Sequence, residues 1–133
     1  MNYKKINNIT GWIILLIASA VYIMTMEATG SLWDCGEFAS CAYKLQLPHP
    51  PGAPLFVLLG RLFMIPFGTN PIAGVNMMSA LASGFTILFL FWSITHFAKK
   101  MLQKDGGELT GQQIFAAMAA GAVGSLAYCL SDI

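Results

Sequence analysis

The side chains best suited to chemistry lie close together in one part of the chain. Asp34 and Glu37 are three residues apart, and His49 and Arg61 follow 12 and 24 residues after Glu37. If a helix begins near Asp34, the two carboxylates share one face of its first turn, where the helix dipole favours their ionised form. An ionised carboxylate can take the proton from a hydroxyl nucleophile. This spacing is therefore compatible with a general-base site.

The same spacing also has a purely structural interpretation. Asp34 followed by Glu37 matches an N-cap with its capping-box partner. His49 precedes two prolines, which makes it either a turn residue or a contact for a ligand. Asp34, Glu37 and His49 could together hold a metal ion, but no ligand spacing supports this specifically, so we expect no metal and no cofactor. Spacing alone leaves capping and catalysis both open.

Arg61 is the one charge within a predicted apolar helix. An arginine at membrane level needs an anionic partner. That partner is either a carboxylate of this chain or a lipid phosphate, and the sequence does not choose between them.

The composition places these residues in a membrane protein. Apolar residues make up 56% of the chain, charged residues only 10%, and the net charge is +1. A soluble domain carries about 25% charged residues, so much of this surface must face lipid or other protein. The charge balance gives no support for nucleic-acid binding. Cys35 and Cys41 are six residues apart, which does not bring two sulfurs together on a helix, and no disulfide framework is expected.

Hydropathy predicts an all-α membrane protein with about three transmembrane helices, at 6–26, 71–97 and 114–130. The intervening loop, 27–70, holds five of the six prolines and two short interfacial helices, at about 36–47 and 54–65. On the first of these, Phe38, Cys41, Ala42 and Leu45 are expected to share a face. Small residues four apart in the second and third spans predict close helix packing. Because an apolar run ends the chain, we expect residues 1–133 to be the N-terminal part of a longer polytopic protein.

The lysines predict the orientation. Lys4, Lys5, Lys99, Lys100 and Lys104 fall on one side of the membrane if two spans separate them, whereas only Lys44 and Arg61 fall on the other side. The positive-inside rule puts the lysine-rich side in the cytoplasm. The loop 27–70 then faces outward, which in a bacterial inner membrane means the periplasm.

Four segments resemble one family of multi-span proteins. This bacterial family is related to the eukaryotic transmembrane protein O-mannosyltransferases and belongs to the GT-C class of glycosyltransferases. The resemblance is most specific between Trp33 and Arg61. It rests on Trp33-Asp34-Cys35-Gly36-Glu37-Phe38, Ala42-Tyr43-Lys44-Leu45, His49-Pro50-Pro51-Gly52-Ala53-Pro54-Leu55-Phe56 and Gly60-Arg61.

The resemblance implies an enzyme that moves a sugar from a polyprenyl-phosphate donor to a protein hydroxyl on the outer face of the membrane. Asp34 matches the essential acidic residue of the first outer loop, with Glu37 as its partner. His49 and Arg61 would bind substrate, with Arg61 at the carrier phosphate, and Asp132 would add a second carboxylate. The fragment alone is expected to be inactive. The alternative is a non-enzymatic membrane protein, such as a transporter or an assembly subunit.

Overall fold

The computed structural model describes residues 2–27, 29–30, 33–103 and 107–131. All regular structure in these ranges is helical. The helices are α1 (Tyr3–Thr25), α2 (Cys35–Lys44), α3 (Pro54–Met64), α4 (Pro71–Leu102) and α5 (Gly111–Leu130), and a short 3-10 turn at Ile65–Phe67 follows α3.

Three of these helices, α1, α4 and α5, are long and apolar enough to cross a membrane. The prediction of three membrane-spanning helices is therefore confirmed, and each of these helices is longer than the membrane segment predicted for it. The first helix begins at Tyr3 and includes Lys4 and Lys5, and the fourth continues through Lys99 to Leu102. A helix does not end where the hydrocarbon ends, because lysine is a good helix former and can extend into the headgroup layer.

The fifth helix also begins earlier than predicted, at Gly111. Thr110 caps it, accepting a hydrogen bond from the Gln113 backbone N–H at 3.4 Å, while the Gln113 side chain accepts one from the Thr110 N–H at 2.9 Å. These reciprocal bonds form a capping box. The sequence pattern Thr-x-x-Gln predicts this capping box and the earlier helix start, whereas hydropathy alone does not.

The chain divides into two compact units. One unit comprises residues 1–21 and 83–133 and contains most of α1, most of α4 and all of α5. Its helices meet at glycines. A Cβ on Gly121 would lie 2.9 Å from Phe91 atoms, and one on Gly124 would lie 2.9 Å from Ile94. The small residues of α5 therefore pack against α4, as the spacing predicted.

The other unit comprises residues 22–82 and holds both short helices. Gly60 of α3 packs on α2, where a Cβ would lie 3.1 Å from Ala42 Cβ. A buried cluster joins α2, α3 and α4, with Phe56, Ile72 and Met78 packed around it; its members are Ala39, Ala42, Met64 and Val75. Because small residues line the crossing of α2 and α3, the two short helices lie close together and hold the loop in one arrangement.

Helix α2 ends earlier than expected. Leu45 adopts a left-handed conformation, with φ 54°, and Gln46 donates its N–H to the Cys41 carbonyl at 2.9 Å. Leu45 lies beyond the last helical residue, Lys44, and is 57% exposed, so the prediction that it shares a helix face with Phe38, Cys41 and Ala42 was wrong. A residue just past a helix end no longer follows the helical period. Cys41 and Cys129 are buried thiols, as expected of small fillers, but Cys35 is exposed.

Candidate functional site

The N-terminus of α2 presents Asp34 to solvent rather than using it as a cap. Asp34 occupies the N-cap position, and its backbone carbonyl accepts the first helical hydrogen bond, from Phe38 at 3.0 Å. Its side chain makes no capping hydrogen bond. The capping interpretation is therefore wrong for its side chain, although Asp34 does mark the start of the helix. The carboxylate remains available at the start of the helix dipole.

A cavity of about 400 Å³ opens beside Asp34. Its walls are mainly aromatic and aliphatic, with three polar side chains among them. The residues that define it are Trp33, Asp34, Phe38, Phe56, Asn76 and Ser79. An apolar cavity with a few convergent polar groups is the usual form of a small-ligand site. Asp34 is the one carboxylate among its lining residues.

Glu37 lies one turn further along α2 and binds His49. One carboxylate oxygen accepts the His49 backbone N–H at 2.7 Å, and the other lies 3.0 Å from His49 Nδ1. Both oxygens of Glu37 are thus engaged, and the capping box with Asp34 does not form. The pair joins α2 to the turn that leads into α3, where Gly52 donates its N–H to the His49 carbonyl at 2.9 Å.

The pairing shifts both pKa values in the directions expected for an ion pair. The hydrogen bond from the His49 backbone N–H, followed by the bond to its ring, holds the pKa of Glu37 below its ordinary value. The hydrogen bond to Glu37, helped by its negative charge, raises the pKa of His49, and the charge of Asp34 adds to this. Both groups are solvent-exposed, so water weakens the attraction between them.

Aromatic packing sets the position of His49. The Phe38 ring meets the His49 ring edge-on, with centroids 5.7 Å apart, and meets Phe56 in the same way at 5.5 Å. Phe38 is therefore partly buried between α2 and α3. Trp33 remains 93% exposed next to Asp34. Its φ is 74°, a conformation uncommon for a bulky residue.

Asn76 is a structural part of the site that sequence reasoning did not assign. Its side-chain amide donates to the backbone carbonyls of Glu27 at 2.8 Å and Thr29 at 3.1 Å. It thereby fixes the segment after α1 to α4, beside the cavity. A lone amide in the first turns of an apolar helix was the available signal, because such a group needs a partner at membrane level.

Arg61 lies elsewhere in this unit. Its guanidinium carbon is 5.0 Å from the centre of the Tyr43 ring, in a cation–π contact. Among the described residues, no carboxylate lies within ion-pair distance of Arg61. Arg61 is also absent from the residues that line the cavity beside Asp34. The structure therefore joins Glu37 to His49, places Asp34 on the cavity, and leaves Arg61 on Tyr43.

Two further predictions concern Asp132 and metal binding. Asp132 lies outside the described residues. Within residues 2–27, 29–30, 33–103 and 107–131, no three His, Cys, Asp or Glu side chains are grouped so as to hold a metal ion.

Three apolar helices long enough to cross a membrane, with two short helices between the first and second of them, define an integral membrane protein. The chain belongs to the family described as Protein O-mannosyl-transferase TMEM260 N-terminal domain, which matches residues 34–133. The matched region begins at Asp34 and includes α2 to α5.

Two curated relatives agree with this family. The chain is 33% identical over 87 residues to Protein O-mannosyl-transferase tmem260 of Dictyostelium discoideum, which covers 62% of this chain and 11% of that protein. It is 33% identical over 78 residues to Protein O-mannosyl-transferase TMEM260 of Mus musculus, which covers 57% of this chain and 11% of that protein. The chain thus spans about a ninth of the length of these relatives. No solved structure matches it.

Proposed function

We propose that the chain is the N-terminal part of a GT-C-type membrane glycosyltransferase that moves mannose from a polyprenyl-phosphate donor to a protein hydroxyl. The observation that carries this proposal is the Asp34 carboxylate. It stands at the start of α2 with no capping bond, on a cavity of about 400 Å³. Membership of a family named for protein O-mannosyl transfer supports the choice of reaction.

Asp34 acts as the general base in this proposal. It takes the proton from the acceptor hydroxyl as the hydroxyl oxygen attacks the anomeric carbon of the sugar, and the carrier phosphate leaves with the bonding electron pair. The new glycosidic bond has inverted configuration, because attack and departure occur on opposite faces of the sugar. Positioned base catalysis of this kind contributes typically about 10²–10⁴-fold to a rate.

In this proposal Glu37 assists the reaction by holding Asp34 in position. Both of its oxygens contact His49, so we assign Glu37 a positioning role rather than the role of the base. The pair fixes the first turns of α2, and with them Asp34, to the start of α3. His49 is then a positioning residue as well, rather than a direct substrate ligand.

The site faces the side of the membrane opposite to the lysine-rich helix ends. Lys4 and Lys5 begin α1, and Lys99 and Lys100 end α4, so the positive-inside rule supports a cytoplasmic N-terminus. In a bacterium the site would face the periplasm, and in a eukaryote it would face a lumen. A polyprenyl carrier and a secreted acceptor protein could meet there.

Transfer by the full-length protein tests the reaction. The protein that contains this chain is reconstituted in liposomes with polyprenyl-phosphate [³H]mannose and an acceptor protein. Label should appear in the acceptor and should be released by an exomannosidase. Because the chain spans a small part of its relatives, we expect residues 1–133 alone to give no transfer. Absence of transfer by the full-length protein with every acceptor and polyprenyl carrier supplied would favour a non-enzymatic membrane protein.

Single cysteines test the sidedness independently. Asn70→Cys and Glu108→Cys are placed separately in a background without the native cysteines. An impermeant thiol reagent added outside intact cells should label residue 70 and leave residue 108 unlabelled until the membrane is opened. The reverse pattern would place the site in the cytoplasm and remove the outer-face donor from the proposal.

A further inference from the structure

A second cavity lies on the other face of α2, away from Asp34. Its volume is about 270 Å³. The apolar part is formed by Ala39, Met64 and Ile72, and the polar part by Ser40, Tyr43 and Lys44. Only Ala39 and Ile72 also line the cavity beside Asp34. This second cavity is therefore a mainly apolar groove, and Lys44 is the one charged residue in its lining.

Two cations lie by Tyr43 at the edge of this groove, although Arg61 is not itself among the lining residues. Lys44 lines the cavity, and Arg61 lies over the Tyr43 ring, 5.0 Å from its centre. Among the described residues, neither Lys44 nor Arg61 has a carboxylate within ion-pair distance. A guanidinium that lies over an aromatic ring can still bind an anion through its N–H groups. A pair of cations beside an apolar groove is complementary to a molecule with an anionic head and an alkyl chain.

Helix geometry separates this edge from the proposed reaction site. Tyr43 follows Asp34 by nine residues, which places it roughly 13 Å further along the helix axis and about half a turn around it. The Asp34 carboxylate and the Tyr43 ring, which Arg61 contacts, therefore lie on different faces of α2. A phosphate bound by Arg61 in this arrangement would therefore lie away from the anomeric carbon that is attacked beside Asp34.

We propose that the second cavity binds a membrane phospholipid with an anionic headgroup. The headgroup phosphate accepts hydrogen bonds from Arg61 and Lys44, and one acyl chain enters the groove formed by Ala39, Met64 and Ile72. A planar guanidinium suits a phosphate because two parallel N–H groups can bind two of its oxygens. The bound lipid anchors the α2–α3 pair to the bilayer surface, whether or not the chain transfers a sugar.

Photo-crosslinking of the full-length protein in nanodiscs tests this site. The probe is phosphatidylglycerol with a diazirine in one acyl chain, and crosslinked residues are located by peptide mass spectrometry. Wild-type protein should carry label within 39–44 and 61–72. Arg61→Gln and Lys44→Gln should each reduce that label about fivefold, the effect of one basic residue near an anionic surface. Label at the lysine-rich ends of α1 and α4 should not change and serves as the internal control.

Three further arms decide the outcome. Arg61→Lys keeps the charge but loses the planar pair of donors, so its label should be intermediate. Phosphatidylcholine with the same diazirine should label 39–44 weakly; equal labelling by both lipids would overturn the proposal. Unlabelled polyprenyl phosphate should compete no better than phosphatidylglycerol. If it removes the label completely at much lower concentration, the cavity belongs to the sugar carrier and the phospholipid proposal is wrong.

Discussion

Two helix starts in this chain share one spacing and use it differently. Thr110 and Gln113 form reciprocal hydrogen bonds at the start of α5, whereas Asp34 and Glu37, also three residues apart, form none with each other at the start of α2. There Asp34 faces a cavity, and Glu37 binds His49 instead. The two N-caps differ in backbone conformation, because Thr110 is extended (φ −68°, ψ 159°), as is typical of a capping residue, whereas Asp34 is already helical (φ −78°, ψ 0°). A capping pattern therefore forms a capping box only where its first residue is extended and no other segment binds its second.

The competing segment at α2 is the turn that begins at His49. It approaches close enough to offer Glu37 a backbone N–H and an imidazole nitrogen. At α5 the Gln113 side chain is engaged with the N-cap residue. The Asp34 carboxylate makes no capping bond and can act on another molecule. The Gln113 amide is bound to the N-cap residue of its own helix and stabilises that helix. This contrast predicts that substitutions at α2 change activity and those at α5 change stability.

The largest expected effect is at Asp34. Because its side chain makes no capping bond, Asp34→Asn should leave the abundance and thermal stability of the full-length protein unchanged. An amide cannot take up a proton near neutral pH, so sugar transfer should fall by about 10²–10⁴-fold. The measurement is the rate of label transfer at matched protein abundance in membranes.

Glu108→Gln is the matched control for this change. It makes the same carboxylate-to-amide substitution at an exposed residue near the start of α5 and should transfer at the wild-type rate. If Asp34→Asn also transfers normally, Asp34 is not the base, and the mechanistic part of the proposal is lost while family membership stands.

The next largest effect is expected at Glu37, where two substitutions distinguish a positioning role from a requirement for the negative charge. Glu37→Ala removes both bonds to His49, and the resulting misplacement of α2 should lower transfer by up to about 10²-fold. Glu37→Gln can keep both bonds, since its carbonyl accepts the His49 N–H and its amide can donate to the unprotonated ring nitrogen. Transfer by Glu37→Gln should therefore stay near the wild-type rate.

Steady-state kinetics identify which role Glu37 has. A positioning role predicts that Glu37→Ala lowers kcat more than it raises the KM for the donor, and that Glu37→Gln rescues kcat. If Gln and Ala are equally inactive while both proteins accumulate, the negative charge itself is required. Glu37 would then belong with Asp34 in the reaction, as the family resemblance implies.

A smaller effect is expected at α5, on stability rather than activity. Thr110→Ala removes the N-cap hydroxyl and should cost about 1 kcal/mol of helix stability. Thr110→Ser keeps the hydroxyl and should cost much less. Both should transfer sugar at the wild-type rate at matched abundance, and thermal unfolding in detergent measures the difference. A loss of transfer without loss of stability would show that this end of the chain has a functional role.

The sequence was sufficient for the features that depend on local pattern. Hydropathy located α1, α4 and α5, and the prolines and turn residues located α2 and α3 to within a few positions. Small residues four apart predicted the close contact at Gly121. These features follow from residues near one another in the chain, so one sequence contains enough information for them.

The contacts that define the candidate site depend on residues far apart in the chain. Glu37 meets His49 across 12 positions, and Asn76 reaches the carbonyl of Glu27 across 49. Spacing also could not show that Arg61 would lie on Tyr43, since that contact depends on how α3 crosses α2. By contrast, the Thr110 capping box could have been read from the sequence, because both of its residues are local.

The smallest expected effect is a pH dependence that α2 has and α5 lacks. The pKa of His49 is raised by Glu37, so the stabilisation that depends on the charged imidazole is complete below its ordinary pKa of about 6.5 and is lost as the pH rises through the raised value. The pKa of Glu37 is lowered, so its contribution is present above its ordinary pKa of about 4.3 and is lost as the pH falls through the lowered value. The turn at His49 should be held most firmly between these limits.

Hydrogen exchange of the His49 amide measures this directly, because that N–H is bound to Glu37. After correction for intrinsic exchange, its protection should fall on moving from pH 6 to pH 8, by only about twofold because the pair is exposed and screened. The Gln113 amide, bound to an uncharged hydroxyl, should show no such change and is the internal reference. In Glu37→Gln this loss of protection should disappear or reverse, since no carboxylate remains to stabilise the charged ring and the amide can donate to the neutral ring. Equal pH dependence in wild type and Glu37→Gln would mean that the ion pair does not hold the turn, and that the backbone bond and the packing of Phe38 do.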